Sequence, residues 1–272
     1  MTALALATPV LFAWRGAAQA VSAGDKYVAI GHSFVAGQSI PDAIEGTCAR
    51  STNNYPNLVA RKLKLALTDV SCGSAVIDNV LSVPQGANPP QLDAVTPDTK
   101  LVTITIGSND VGYTGANITC AAAGLSGSGC VGSVLQPQDM EASLGALPGK
   151  LSAMLEAIKA KAPDARVILL PDPRVLPPSA TPCPPSVAMQ PADLRFMVDV
   201  GDQLHTIMKQ SAASAKVDYI ESYSPKGHDA CAVPAKRWIE GQEPASPTII
   251  FHPNAAGMKA QAKMIVRELR SS

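Results

Sequence analysis

At 272 residues and 46% apolar, the chain has the size of one ordinary domain with a large core, and its 22 basic side chains are balanced by 22 acidic ones. A net charge of zero gives no long-range field to draw the protein to nucleic acid or to an acidic membrane surface, so the sequence predicts a small or neutral partner. The same length argues against two packed domains.

In chain order, the first segment is 1–23. Its apolar run from Ala3 to Trp14, followed by small residues, suits an export leader, and Ala18-Gln19-Ala20 or Val21-Ser22-Ala23 suits the cleavage step, although no Lys or Arg precedes Arg15. Arg15 cuts the run short of the ~20 apolar residues that a membrane span needs. The expectation is a leader over 1–23, a single domain over 24–272, no stable membrane span, a monomer, and a location outside the cell or in the periplasm.

Short β-branched runs bounded by Gly, Pro or Asp then recur: Tyr27 to Gly31, Leu67 to Cys72, Leu101 to Ile106, Arg166 to Leu170 and Val217 to Ile220. They read as buried parallel strands. Helical patterns lie between them over Tyr55 to Ala66, Gln138 to Ala162 with a break at Leu147-Pro148-Gly149, Pro191 to Ala215, and Asn254 to Arg270. Alternation of this kind predicts right-handed βαβ units in an α/β fold with a covered sheet. The proline-rich stretches 82–100 and 171–191 and the small-residue patch 121–132 read as loops. Leu81, Val83, Val175 and Leu176, at the edges of two of these loops, either line an acyl site or are incidental surface aliphatics.

Six cysteines, Cys48, Cys72, Cys120, Cys130, Cys183 and Cys231, form an even set without a CxxC pair and without one close to a histidine. That disfavours zinc and, in an exported chain, favours disulfides, although spacing alone does not choose the pairing. Cys120 and Cys130 flank a small-residue loop that they would close locally.

Chemistry is expected where loops leave the carboxyl ends of strands. Ser33 follows the first strand in Gly31-His32-Ser33, and a serine hydroxyl becomes a useful nucleophile only when a base removes its proton. Of His32, His205, His228 and His252, the first is adjacent to Ser33 and its side chain diverges, while the next two read as surface residues. His252 precedes a helix start at Pro253-Asn254, which holds the turn and aims the ring. Ile106-Gly107-Ser108-Asn109 ends the strongest strand, and the Asn109 amide suits an oxyanion. An ordinary histidine base predicts activity rising through about pH 6.5. The Gly-x-Ser-x-Gly elbow of α/β-hydrolases does not fit, because Val35 stands at its last position and the serine follows the first strand.

Taken together and in this order, Gly31-His32-Ser33-Phe34-Val35-Ala36-Gly37, Thr105-Ile106-Gly107-Ser108-Asn109-Asp110 and His252-Pro253-Asn254-Ala255-Ala256-Gly257 resemble the blocks of the SGNH hydrolase (GDSL esterase/lipase) family, in particular its secreted actinobacterial-type members. The resemblance implies a flavodoxin-like three-layer α/β/α sandwich with a five-stranded parallel sheet in order 2-1-3-4-5. It also implies Ser33 as nucleophile, His252 as general base, and bridges Cys48–Cys72, Cys120–Cys130 and Cys183–Cys231. The oxyanion hole would come from the Ser33 backbone N–H, the Asn109 side chain and a backbone N–H at Gly73 or Ser74.

Three positions depart from the family pattern. His32 replaces an aspartate; Gly73 and Ser74 exchange the usual order, leaving Ser74 where the oxyanion N–H belongs; and Ile249 replaces an aspartate, so a main-chain carbonyl at Ile249 or Ile250 is expected to orient His252. The function implied is hydrolysis of a small-molecule or lipid carboxylic ester through an acyl-enzyme, without metal or organic cofactor. A decayed scaffold that only binds, and acyl transfer from the same site, are the alternatives.

Overall fold

The computed structural model describes residues 20–271. All but the last four residues of the expected leader lie outside that range. Five strands, β1 (Lys26–Gly31), β2 (Ala66–Asp69), β3 (Thr99–Thr105), β4 (Arg166–Leu169) and β5 (Asp218–Tyr219), form one parallel sheet in the order β2-β1-β3-β4-β5. This is the expected α/β order 2-1-3-4-5.

Helices cover both faces: α1 (Ser33–Ala36), α2 (Tyr55–Leu63), α3 (Ile77–Leu81), α4 (Tyr113–Leu125), α5 (Pro137–Lys161), α6 (Pro191–Ala215) and α7 (Ala255–Arg270). The alternation of side chains along each strand separates two cores. Val28, Ile30, Val102, Ile104, Val167 and Leu169 enter the larger one, under α3 to α6, whereas Tyr27, Ala29, Leu101 and Ile168 enter the smaller one, under α2 and α7. Each fully buried aliphatic side chain contributes about 1.5–3 kcal/mol relative to exposure.

The expected break at Pro148 is absent, because α5 runs unbroken from Pro137 to Lys161. Pro148 and Gly149 lie on its exposed side, so the proline ring projects away from the core, while Leu144, Leu147, Leu151 and Met154 form an unbroken buried stripe. The small-residue patch also differs from expectation: residues 121–125 belong to α4, whose Cys120 and Ala121 are buried. Alanine is the best helix former, so a run that reads as low complexity continues the helix. Helix α2, expected to reach Ala66, stops at Leu63, because Lys64 turns into the left-handed region at φ 58°.

The three bridges are Cys48–Cys72, Cys120–Cys130 and Cys183–Cys231, with no free cysteine among the described residues. No described helix is long and apolar enough to cross a membrane.

Candidate active site

Three turns at the carboxyl edge of the sheet meet around Ser33. Gly31 ends β1 at φ 152°, and a Cβ there would lie 2.3 Å from both Thr105 O and a Val35 methyl carbon. Only glycine permits that approach. The buried amide of Gln91 clamps the same residue, accepting from Gly31 N at 2.8 Å and donating to Gly31 O at 3.0 Å. Cys72 N also donates to Gly31 O, at 3.0 Å, and His32 N to Thr105 O, at 3.3 Å, so the turns after β2 and β3 are tied to the serine turn. Gln91 was not legible as a site residue. Its only sequence signal is a polar side chain in an apolar stretch of a proline-rich loop.

Ser33 opens α1, and its Oγ lies 2.8 Å from His252 Nε2 across 219 residues of chain. The other ring nitrogen, Nδ1, donates to Ile250 O at 2.8 Å. The backbone carbonyl chosen is therefore that of Ile250 and not Ile249. Donation at Nδ1 leaves Nε2 unprotonated and able to accept the serine proton.

The turn carrying His252 is braced from several sides. Phe251, fully buried, adopts φ 55°; Phe251 N donates to Glu240 O and Glu240 N to His252 O. Asn254 caps α7 by accepting from Ala256 N and Gly257 N, and its amide donates to the buried Glu240 carboxylate at 2.7 Å. The buried Glu240 carboxylate thus braces the cap, and the imidazole is left to a carbonyl. Burial is the main cause that pulls the His252 imidazole down to about 4, against the rise from the Ile250 carbonyl; the neighbouring His32 adds to the fall and Asp172 opposes it. The expectation of a titration near 6.5 is corrected accordingly.

His32 takes over the structural work of the missing aspartate. Its Nδ1 accepts from Phe34 N at 3.3 Å as the cap of α1. Its Nε2 lies 3.0 Å from Ser108 Oγ and 3.2 Å from the carboxylate of Asp172, the latter an electrostatic contact and not an aligned hydrogen bond. The ring is completely buried, and Phe34 packs between it and His252, at centroid distances of 5.3 and 4.8 Å. Asp172 and Ser108 were missed as site residues. A signal for Asp172 existed, because an aspartate held between Pro171 and Pro173 directly follows the fourth strand.

Gly73 N donates to Cys48 O at 3.1 Å, which spends that N–H. Ser74 adopts φ 63°, the left-handed conformation expected of glycine, and is exposed. Among the described residues neither the Ser33 nor the Ser74 backbone N–H finds a protein acceptor. Asn109 Nδ2 donates to Ala75 O at 3.1 Å, which fixes the amide beside the Ser74 turn and leaves its second hydrogen for a ligand.

His205 is not a solvated surface residue: it pairs with Glu221 at 2.9 Å and stacks on Tyr223. His228 stacks on Trp238 at 3.9 Å. Val175 and Leu176 are buried in the larger core and Leu81 packs against it, so of the four aliphatics only Val83 is exposed. No group of residues suited to a metal ion exists among the described residues.

The model of the GDSL-like lipase/acylhydrolase family matches residues 29–260. The chain is 34% identical over 246 residues to Lipase 2 of Streptomyces coelicolor, covering 87% of this chain and 83% of that one. Among solved structures it is similar to phospholipase A1 from Streptomyces albidoflavus (TM-score 0.69, 25% identity, 90% of this chain and 99% of that one). It is also similar to the extracellular lipase of Streptomyces rimosus (TM-score 0.68, 25% identity, with the same coverage).

Proposed function

This chain belongs to the GDSL-like lipase/acylhydrolase family and is a carboxylic ester hydrolase; we propose that it works through an acyl-enzyme on Ser33, with His252 as its base. The observation that carries the proposal is the relay Ser33 Oγ to His252 Nε2, 2.8 Å, and His252 Nδ1 to Ile250 O, 2.8 Å. As Oγ bonds to the ester carbonyl carbon, its proton passes to Nε2. The tetrahedral oxyanion accepts hydrogen bonds from the Ser33 and Ser74 N–H groups and from Asn109. Nε2 then returns the proton to the departing alcohol oxygen, the acyl–Oγ bond remains, and a water activated by the same nitrogen releases the acid.

The imidazolium formed in each half-reaction is met by a neutral carbonyl. Hydrogen bonds to charged partners are about twice as strong as neutral ones, so Ile250 O fixes the tautomer and supports the charge less than a carboxylate would. In compensation, the burial of Ser33 and His252 strengthens the electrostatic interactions made there. Against a decayed scaffold stands the intact contact between nucleophile and base.

Export from the cell is part of the proposal, supported by the leader-like start, the three disulfides and the likeness to an extracellular lipase. So is a lipid ester substrate, supported by relatives named lipase and phospholipase A1. The test is a p-nitrophenyl ester series of increasing acyl length. The expected result is a burst of p-nitrophenol followed by steady turnover that persists to long acyl chains. No burst and no turnover with any member would overturn the acyl-enzyme, and turnover confined to acetate would overturn the lipid substrate.

A further inference from the structure

The neutral total of the sequence conceals an uneven surface. Along α7, Lys259, Lys263, Arg267 and Arg270 follow one another at helical spacing and all are exposed. With the exposed Lys62 of α2 they rim a trough of about 610 Å³ whose floor is Leu58, Ala262 and Val266. Among the described residues none of these five cations forms an ion pair. Glu268, the acidic residue of α7, is turned to Arg166 at 3.1 Å. Like charges four residues apart repel along a helix, and the dipole rewards cations only in the last turn, where Arg267 and Arg270 lie. Lys259 and Lys263 have no such compensation. By contrast, the long helices of the opposite layer mix signs, as with Asp139, Glu141 and Lys150 of α5 or Asp199, Asp202 and Lys209 of α6.

A smaller trough of about 220 Å³ shares Leu58 and Lys259 with the first and reaches Ala255, three residues beyond His252. The apolar strip with its basic rim thus runs up to the helix start that carries the proposed base.

We propose that the α2–α7 face docks onto an anionic lipid surface, its cations meeting acidic headgroups and its trough receiving an acyl chain. Basic residues clustered on a helix beside a recessed apolar strip are what such a surface selects. Charge complementarity disfavours the other occupants: residues 1–19 contain Arg15 and no acid, and a second copy would bring the same cations to the same face. Docking is independent of the hydrolytic role of Ser33, so the two readings fail separately.

The experiment is co-sedimentation of the full chain carrying Ser33→Ala, which leaves lipid intact, with vesicles of phosphatidylcholine alone and of equal parts phosphatidylcholine and phosphatidylglycerol. Binding is expected to the second only and to weaken with salt. The triple variant Lys259→Gln, Lys263→Gln, Arg267→Gln is expected to bind on the order of a hundredfold more weakly, since each basic residue near an anionic surface contributes roughly fivefold. A variant with Lys259→Arg and Lys263→Arg is expected to keep its affinity. With Ser33 restored, the triple variant is expected to turn over p-nitrophenyl acetate at the unsubstituted rate. Equal binding to both vesicles, or undiminished binding of the triple variant, overturns the proposal. So does a photo-crosslinker at Val266 that captures residues 1–19 or a second copy in place of lipid.

Discussion

Two imidazoles bracket Ser33, and they are equipped in opposite ways. His252 touches the hydroxyl at 2.8 Å and has only a backbone carbonyl behind it. His32 sits one residue from the serine, has the carboxylate of Asp172 at 3.2 Å, and spends its nitrogens on Phe34 N and Ser108 Oγ. Serine, histidine and aspartate are all present, yet the histidine beside the aspartate is packed as a brace, and the proposal gives the role of base to the histidine without one. Reach decides the role, and residue type does not.

Substitutions that separate the two rings test this contrast most strongly. His252→Ala is expected to lower kcat/KM by roughly 10⁴-fold or more, as removal of a base from a serine relay does, with little change in Tm. Asn109→Ala comes next, at about a hundredfold in kcat, and a loss within about threefold would remove it from the oxyanion hole. His32→Ala should show the reverse pattern. Removing the buried ring takes the cap from α1 and leaves a cavity beside Phe34 and Ser108, at a cost of about 3–5 kcal/mol, which lowers Tm by roughly 6–20 °C, while the folded fraction keeps kcat/KM within about tenfold of the original. A rate loss as large as that of His252→Ala would erase the distinction.

The smallest effect is the pH dependence. With the imidazole of His252 held at about 4, the base is already unprotonated near pH 5, so kcat/KM is expected to stay level from there upward and to fall below it. The linked stability change has a definite sign: the unfolded ring accepts a proton near its ordinary value of about 6.5 and the native ring refuses it until about 4, so stability from this group is lost as pH falls across that window. A kinetic titration at about 6.5 would place the base in a wetter setting than the structure gives it.

Much of this was legible in local pattern. The five apolar runs, Ser33 after the first strand and His252 before a capped helix all depend on neighbours within a few residues, whereas the order of the sheet was implied only by the family resemblance. What was not legible depends on distance or on context. Asp172 stands 140 positions from His32, and only the return of β4 beside β3 brings the two together. The continuation of α5 through Pro148 was hidden because proline is disfavoured locally, while the buried stripe on the other side of the helix, which outweighs that cost, is a property of the packed fold. Ser74 in the left-handed region could be anticipated from the displaced glycine, but its N–H is singled out only because Cys48 O occupies that of Gly73.

The dyad itself is most directly tested by labelling with a fluorophosphonate and mapping the modified peptide in the unsubstituted chain, in His252→Gln and in His32→Asn. The expected result is an adduct on Ser33 that forms at least about a thousandfold more slowly in His252→Gln, on the order expected when the base is lost, and that still forms readily in His32→Asn. An adduct on a different serine, or labelling undiminished by His252→Gln, would contradict it.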